Sequence, residues 1–354
     1  MDRPRAFPLA RWRTRLAALA AALALVATGC GSIGGTSASA DATFVASTVG
    51  DLAVRLDQRL LVVPRSGEAR EVVEIEQSGV GPTSPTWSPD GTRLAYVRQL
   101  QFIGLPDSDW GDDIYVVPED GGEPELVREH PAIGQQTEGL AWTPDGEALL
   151  FGDHEPVYER DHIVDYTTRI ARLDLASGET MEVVADAHSP SLSEDGSRMA
   201  YLTDEGLSVA DGNGEDAQML VPTGTFLALF DPRISPDGRT VAFSAADLTP
   251  TASAPADDEG GGLLGRLARD IAGPLWPRDA LAHGAPMDIW TVDVETGERT
   301  RLTEFYEDDP QAAWSSDGGT LVVVATGGMY EVAADGSGVE RLGNGAFGAQ
   351  VDVR

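Results

Sequence analysis

Four aspartates in one short stretch are a candidate calcium site. They are Asp107, Asp109, Asp112 and Asp113. Calcium prefers several carboxylate oxygens, but the stretch lacks the spacing of a twelve-residue calcium loop. A second acidic stretch, 211–216, begins like such a loop, yet Pro222 stands where its closing glutamate is needed. We interpret that stretch as a turn. No cofactor is predicted, and calcium at the four aspartates is kept as an alternative.

A second group of side chains has the composition of a zinc site. Histidine nitrogens and carboxylate oxygens are zinc ligands, and both occur in a stretch predicted to be a long loop. Its members are His154, Glu155, His162 and Asp165. No regular element is predicted to fix their spacing, so a solvated loop is the preferred interpretation and no metal site is predicted. A Gly-x-Ser-x-Gly nucleophile motif is absent from the sequence, and no catalytic residue is predicted.

The elements that must position any site are indicated by a pentapeptide that recurs five times. Its copies lie at 87–91, 142–146, 192–196, 234–238 and 314–318, as variants of Trp-Ser-Pro-Asp-Gly. Proline presets the first corner of a turn, aspartate bonds to nearby backbone, and glycine accepts the positive φ that closes a hairpin. The motif is therefore predicted to be a turn, with its tryptophan packed between neighbouring units.

Strand-like stretches surround every copy of the pentapeptide. An apolar run such as 94–97 follows each copy, and a second strand pair such as that starting at 113–117 comes next. Each unit is thus predicted to be one four-stranded propeller blade. Stretches 59–63 and 70–73 supply the outer strands of a sixth blade, and 350–353 supplies its inner strand. The predicted fold class is all-β: a six-bladed β-propeller of four-stranded antiparallel blades, closed by pairing of the N- and C-terminal strands, with a short helical insertion.

The repeat resembles that of the TolB-type six-bladed β-propeller family. The resemblance is carried by Trp-Ser-Pro-Asp-Gly at 87–91, Ile-Tyr-Val-Val at 114–117 and Ile-Trp-Thr-Val-Asp at 289–293, within a repeat that covers nearly the whole mature chain. The third copy lacks both Trp and Pro, and the fifth lacks Pro. The α/β domain that precedes the propeller in this family is not expected. Because the family includes envelope scaffolds, peptide or glycan binders and the propeller parts of oligopeptidases, the resemblance implies a fold but not one function.

The first thirty residues resemble a bacterial lipoprotein signal peptide. Five arginines precede an apolar stretch, 16–28, that is too short to span a bilayer comfortably. It runs into Val-Ala-Thr-Gly-Cys, a lipobox-like sequence whose Cys30 is the only cysteine in the chain. We predict a signal peptide at 1–29, a flexible tether at 30–41 and a propeller at 42–354, with lipid attached to Cys30. The alternative is a secretory signal with an incidental cysteine. The predicted location is the bacterial cell envelope, on the outer side of the cytoplasmic membrane or in the periplasm.

Charge narrows the range of partners. Without residues 1–29 the chain keeps 20 arginines against 57 aspartates and glutamates, a net charge of −37. Nucleic acids and anionic lipid surfaces would be repelled by such a chain. We therefore predict no nucleic-acid partner, and we expect a monomer whose contact with the membrane is made through lipidated Cys30.

An insertion at 245–285 interrupts the repeat. The interval between motif aspartates is 80 residues here, against 55, 50 and 42 elsewhere. Within the insertion Leu263, Leu267 and Ile271 share one helical face. Two interpretations stay open. One is a lid or docking helix over a propeller face or the membrane, and the other is a helix packed on the barrel flank or a disordered decoration.

Ligands of propellers bind at the axial channel, which the innermost strands line. The residues just before the pentapeptides are the positional candidates: Thr86, Gly139, Ser189, Asp231, Arg233, Asp309 and Gln311. Asp231, Arg233, Asp309 and Gln311 are predicted to form a binding site at the channel mouth, although the shared Asp-Pro sequence of Asp231 and Asp309 equally suits a structural role. The predicted function is a lipid-anchored, non-catalytic binding or scaffold protein for a peptide, glycan or envelope protein. The alternative is a polysaccharide lyase or hydrolase with a channel metal. The five histidines are predicted to fall mostly in loops, which favours the first.

Overall fold

The computed structural model describes residues 47–354 except 57, 66–67, 76–79, 101–109, 161, 248–285, 308–309 and 345–347. All regular secondary structure in this part of the chain is β-strand, and none of it is a helix long and apolar enough to cross a membrane. The strands are β1 Leu52–Leu56, β2 Arg59–Val63, β3 Arg70–Glu74, β4 Val80–Trp87, β5 Arg93–Leu100, β6 Asp112–Pro118, β7 Glu125–Arg128, β8 Gln136–Trp142, β9 Ala148–Glu159, β10 His162–Asp174, β11 Thr180–Ala185, β12 Ala187–Leu192, β13 Arg198–Thr203, β14 Gly206–Asp211, β15 Gln218–Pro222, β16 Ala228–Ile234, β17 Thr240–Ala246, β18 Met287–Asp293, β19 Arg299–Arg301, β20 Gln311–Trp314, β21 Thr320–Ala325, β22 Gly328–Ala333, β23 Val339–Gly343 and β24 Gln350–Val353.

Six sheets of four antiparallel strands make up the fold. Blade 1 is ordered β24-β1-β2-β3, and blades 2 to 6 are formed by β4–β7, β8–β11, β12–β15, β16–β19 and β20–β23. The innermost strands β24, β4, β8, β12, β16 and β20 contact one another in a complete ring and so surround a central channel. The predicted all-β, six-bladed class is thereby confirmed.

The pentapeptides form the turns predicted for them. In the first copy, the Ser88 hydroxyl donates a hydrogen bond to Asp90 Oδ1 (2.6 Å), and Gly91 closes the turn with a φ of 67°. Hydrogen bonds from Ser88 and Thr92 hold the pKa of Asp90 down at about 2. The same hydroxyl-to-carboxylate bond recurs at Thr143–Asp145, Ser193–Asp195, Ser235–Asp237 and Ser315–Asp317. The motif is therefore a turn and not a ligand site.

Tryptophans of the repeat join neighbouring blades, as predicted. Trp142 Nε1 donates to the carbonyl of Thr86 in the preceding blade (3.2 Å), and Trp314 Nε1 donates to the carbonyl of Arg233 (2.8 Å). Arg93 lies over the Trp142 ring, 4.8 Å from its centroid, and donates to the Gly146 carbonyl (3.1 Å). Because Trp142 also packs among apolar side chains of blades 2 and 3, each such contact combines apolar burial with a satisfied indole N–H.

Pairing of β24 with β1 closes the ring. The register places Leu52 opposite Val353, and beyond it Asp51 and Arg354 exchange two backbone hydrogen bonds of 3.1 and 3.0 Å. The Arg354 guanidinium also forms ion pairs with Asp51 (2.9 Å) and with Glu119 of blade 2 (2.6 Å). Closure gives β1 a partner on its inner side, which would otherwise be an open strand edge.

The two ends of the propeller differ in regularity. We call the end at which the inner strands begin the loop face, and the end that carries the pentapeptide turns the turn face. The connection between the second and third strands of each blade opens on the loop face, because the strands are antiparallel. The long connections 101–111 and 247–286 and the extended β9–β10 hairpin all occupy this topological position. The strands that flank each of these departures from the repeat therefore end at the same end of the channel.

Two sequence predictions need correction here, and a third is not tested. Residues 154–165 are not a loop, because β9 and β10 pair continuously from Ala148 to Glu159 and from His162 to Asp174, with one register shift. The insertion does not begin at 245, since Ala245 and Ala246 pair with β18 and are almost fully buried. The apolar helical face predicted in the insertion lies outside the described residues.

Candidate functional site

Four of the inner strands carry a β-bulge at the same place. At 84–85, 139–140, 189–190 and 231–232, two residues of the inner strand oppose one residue of the second strand. The first residue of each pair has positive φ: Ser84, Gly139, Ser189 and Asp231. The opposing residues are the buried aromatics Tyr96, Phe151, Tyr201 and Phe243. Bulges re-aim side chains and are common beside functional sites, so this level of the channel is a natural place to look for one.

A carboxylate and two imidazoles meet at this level between blades 3 and 4. Glu138 Oε1 lies 2.7 Å from His188 Nδ1 and 3.5 Å from His154 Nε2. The Ser189 hydroxyl donates to the same carboxylate oxygen at 2.8 Å. The side chain of Glu138 remains 43% exposed and that of His188 remains 31% exposed. We call Glu138, His154, His188 and Ser189 the channel cluster. It is accessible from the channel, as a binding site must be.

Interactions within the channel cluster determine the pKa values of Glu138 and His154. Burial alone would raise the pKa of Glu138, but its interactions with His154 and His188 outweigh burial and hold that pKa well below its usual range. Burial alone would lower the pKa of His154, but the Glu138 carboxylate outweighs it and raises that pKa above its ordinary value. Glu138 is therefore ionised at neutral pH, and His154 is protonated more readily than a free histidine.

Neighbouring side chains hold the cluster in place. Asp153, next to His154 on β9, is fully buried and accepts hydrogen bonds from Arg128 (2.7 Å), Arg169 (2.9 Å) and Gln135 (2.6 Å). The Thr168 hydroxyl lies 3.0 Å from His154 Nδ1 across the β9–β10 pair. The base of the hairpin is thus pinned where it presents His154.

Hydrogen bonds continue around the channel wall from the cluster to blade 1. The Gly139 N–H donates to Ser84 Oγ (3.3 Å), and the Ser84 N–H donates to Gln350 Oε1 (2.6 Å). Further toward the turn face, Asp352 Oδ2 accepts the Trp87 N–H at 2.8 Å. Burial raises the pKa of Asp352, and the charge of Arg233 from blade 5 opposes this rise. Polar contacts therefore link blade 1 to the bulged strands of blades 2, 3 and 4.

The alternative of calcium at the four aspartates gains no support from Asp112 and Asp113, the two that are described. Asp112 Oδ2 accepts the Thr137 N–H at 2.9 Å, whereas Asp113 Oδ1 accepts the His130 N–H at 2.9 Å and lies 2.7 Å from His130 Nδ1. Each carboxylate is thus used to fix a separate stretch of chain. Asp107 and Asp109 lie outside the described residues.

The zinc hypothesis is likewise unsupported by the placement of its residues. Along the β9–β10 pair, His162 lies opposite Glu159 near the tip, while His154 lies opposite Thr168 at the base. Across the part of the chain that the structure describes, no three histidine, cysteine or carboxylate side chains are arranged to hold a metal ion.

The described residues predicted for the channel mouth lie on two neighbouring inner strands, β16 and β20. Asp231 occupies the bulge of β16 with φ 48°, and Arg233 follows it on the same strand. Gln311 begins β20 and is buried. Asp309 lies outside the described residues. A joint binding role for these four stays a prediction.

Sequence reasoning missed the cluster because it placed the histidines in loops. His154, His162 and His188 lie on strands, so that prediction is wrong for them, while His283 lies outside the described residues. A signal was present: Glu138 and His188 both stand four residues before the first residue of their pentapeptides. They therefore occupy equivalent positions in adjacent blades. His154 gives no such signal, since it reaches the cluster only because β9 extends without interruption.

Chemically, the cluster offers hydrogen-bond acceptors, hydrogen-bond donors and a proton reservoir. An ionised carboxylate beside imidazoles binds hydroxyl, amide or ammonium groups, and the same pair is able to exchange protons with a bound molecule.

Comparison with known proteins supports the fold. No protein-family model matches the sequence. The chain is similar in structure to TolB from Acinetobacter baumannii, with a TM-score of 0.59 and 16% identity over 87% of this chain and 67% of that one. It is also similar to a putative TolB from Agrobacterium tumefaciens, with a TM-score of 0.52 and 17% identity over 78% of this chain and 87% of that one. At such identities the likeness shows the fold alone, and it confirms the resemblance to TolB-type propellers at that level.

One curated relative is similar in sequence over part of the chain. The uncharacterized peptidase YuxL of Bacillus subtilis (strain 168) is 31% identical over 186 residues, which is 49% of this chain and 23% of that protein. The match spans less than a quarter of the relative and therefore transfers no activity.

Proposed function

We propose that this chain is a non-catalytic binding protein of the bacterial cell envelope, anchored by lipid on Cys30, that holds a peptide, glycan or envelope protein at the loop face of its propeller. Lipid anchoring and this location are supported by the arginine-rich first residues, the short apolar stretch that follows and the single cysteine, Cys30. The location is the outer side of the cytoplasmic membrane or the periplasm.

One observation carries the binding role. The channel cluster keeps an ionised carboxylate accessible at the same end of the propeller where the connections depart from the repeat. The turn face consists of uniform turns whose polar groups are used within the fold. Recognition residues commonly lie on variable loops around a rigid scaffold, and the loop face is the end that fits this description.

Binding of defined ligands would test this role. The purified full chain is screened against arrays of short peptides and of oligosaccharides, together with a variant that combines Glu138→Gln and His188→Ala. The matched control is Arg239→Ala, because the Arg239 side chain is 82% exposed at the turn face. We expect a ligand whose binding is lost in the cluster variant and kept in the control. Binding that is identical in all three proteins would refute the assignment to the cluster.

Lipid anchoring is tested in a separate experiment. Cys30→Ala removes the predicted site of lipid attachment, so the variant should leave the membrane fraction and appear in the soluble extracytoplasmic fraction. An unchanged membrane fraction would contradict lipid anchoring without bearing on the binding role.

The second candidate function is an enzyme acting on a polysaccharide. The observation in its favour is that Glu138, His154 and His188 meet at the channel, where they would serve as an acid–base set. Incubating acidic and neutral polysaccharides with the full chain, with and without added divalent metals and with a chelator, separates the candidates. New reducing ends or unsaturated products that disappear in Glu138→Gln would favour the enzyme. Unchanged polysaccharides together with saturable oligosaccharide binding would favour the binding protein.

A further inference from the structure

A two-stranded ribbon projects from blade 3 at the loop face. The pairing of β8 with β9 starts at Gln136, opposite His154, and the pairing of β11 with β10 ends at Ala185, opposite Arg169. Beyond these points β9 and β10 pair only with each other within the described residues. We call residues 155–168 the ribbon. Both of its edges lack a neighbouring strand from the described part of the chain.

The ribbon exposes apolar side chains. Val157, Tyr158 and Val164 are 40%, 44% and 53% exposed, and Ile133, next to the ribbon, is 48% exposed. These four residues form the ribbon patch. The Tyr158 hydroxyl donates to the Ile133 carbonyl and holds these two residues together, whereas Val157, the preceding residue on β9, points to the opposite face of the ribbon. Exposed apolar groups beside open strand edges are an aggregation hazard in an isolated protein and are typical of interaction surfaces.

Carboxylates surround the ribbon patch. Glu155, Glu159 and Asp165 are exposed on the ribbon, and Arg160 is the cation beside them among its described residues. The whole chain carries a net charge of −33. A partner that covers the patch must therefore bring positive charge together with apolar side chains.

We propose that the ribbon is a docking surface for an extended segment of a partner protein that presents basic and apolar residues on the same side. An extended segment fits because the open edges expose strand backbone. Glu155, Val157 and Glu159 are two residues apart on β9 and share one face of the ribbon, and Asp165 pairs opposite Val157. Its basic residues pair with Glu155, Glu159 and Asp165, and its apolar residues cover Val157 and Val164. A second copy of this chain would bring the same negative charges and is disfavoured by them.

The base of the ribbon adjoins the channel cluster, because Thr168 contacts His154. Val157, Glu159 and Asp165 lie farther toward the tip of the β9–β10 pair, away from Glu138 and His188. The Glu138→Gln, His188→Ala variant should therefore bind a ribbon ligand as the unmodified protein does. Failure of either proposal leaves the other standing.

The test uses a synthetic peptide of about ten residues in which Arg and Val take turns at every second position with Thr between them, so that one side of the extended peptide carries both. Its binding to the full chain is measured by fluorescence anisotropy at low salt, where charge pairing is least screened. Two ribbon variants are compared. One carries Val157→Ser and Val164→Ser, and the other carries Glu155→Gln, Glu159→Gln and Asp165→Asn.

The matched control changes an exposed edge elsewhere. Val339 is 49% exposed beside the exposed Glu340 on β23, the outermost strand of blade 6. The control variant therefore carries Val339→Ser and Glu340→Gln. Circular dichroism checks that each variant keeps the β-sheet signal of the unmodified chain.

We expect each ribbon variant to bind the peptide about tenfold more weakly or worse, and the control to stay within about twofold, where tenfold is about 1.4 kcal/mol. Equal binding by all variants would show only general attraction to an acidic protein and would overturn the proposal. Weakening by the carboxylate variant alone would also overturn it, since the patch would then contribute nothing. A dimer in light scattering that Val157→Ser, Val164→Ser dissolves would assign the surface to a second copy instead.

Discussion

Replacing Asp112 should remove a large pH dependence from the stability of the propeller. Asp112 is 4% exposed, and its carboxylate accepts the Thr137 N–H beside Glu138. Burial is the main cause that raises its pKa from 3.8 to about 6. Between these values the folded protein keeps a proton that the unfolded chain has lost. The free energy of unfolding contributed by this group therefore falls as the pH rises through the window.

The size of this effect follows from the shift. A rise of about two pKa units at about 1.4 kcal/mol per unit corresponds to about 3 kcal/mol over the whole window. About 2 kcal/mol of this falls between about pH 4 and about pH 7, because the unfolded carboxyl is already partly ionised at the lower value. Asp112→Asn has no such titration. Relative to the unmodified protein, the variant should thus gain about 2 kcal/mol across that interval.

Urea unfolding followed by tryptophan fluorescence at several pH values measures this difference. Any fixed cost of the asparagine amide shifts the difference at every pH equally, so only its slope is diagnostic. Asp90→Asn is the control of opposite sign, because hydrogen bonds lower the pKa of Asp90 to about 2. The contribution of the Asp90 carboxylate to the free energy of unfolding is lost as the pH falls from 3.8 toward about 2, which is outside the pH interval tested. A flat difference for Asp112→Asn between about pH 4 and about pH 7 would refute the reasoning.

Three further comparisons test the packing and the cluster. Both Trp142 and Trp87 are 6% exposed and lie under an arginine, but Trp87 Nε1 has no hydrogen-bond partner among the described residues. Trp142→Phe should therefore lower the free energy of unfolding in urea by about 1–3 kcal/mol more than Trp87→Phe does, and equal losses would contradict this. Glu138→Gln should lower the pKa of His154, followed by NMR of its ring protons, and an unchanged titration would remove Glu138 as the cause. Gly139→Ala should destabilise the fold by about 1–2 kcal/mol in the same urea assay, because φ is +60° and the added Cβ would lie 3.0 Å from Ser189 Cα; no loss would show that the bulge relaxes.

Local chemistry made most of the fold predictable. The Asp and Gly of each pentapeptide specify the turn through bonds within six residues, such as Ser88 to Asp90, so five copies in register predict the blades. Closure was predictable because the first outer strands lacked an inner partner and the alternation at Gln350–Val353 supplied it. The extended hairpin was not predicted, since Pro156 and the mixed polar sequence around it do not follow a simple strand alternation.

The candidate site was predictable only in part, because it depends on register between blades. Glu138 and His188 hold the same offset from their pentapeptides, which a comparison of repeats is able to detect. Their contact also needs the bulges, whose signal is the aromatic residue opposite each one, such as Phe151 opposite 139–140. His154 joins them from the second strand, and no spacing rule in the sequence relates it to His188.

The bonds that stabilise the ring and the residues of the channel cluster lie at different levels along the axis of this propeller. The bonds that repeat from blade to blade, including the indole of Trp142 and the guanidinium of Arg93, lie toward the turn face and do not involve the channel cluster. At the position of Glu138 the other bulged blades carry different side chains, such as Thr83 and Phe230, while the turns stay the same. Substitution at this position therefore changes the chemistry of the channel wall without removing a bond that the ring depends on.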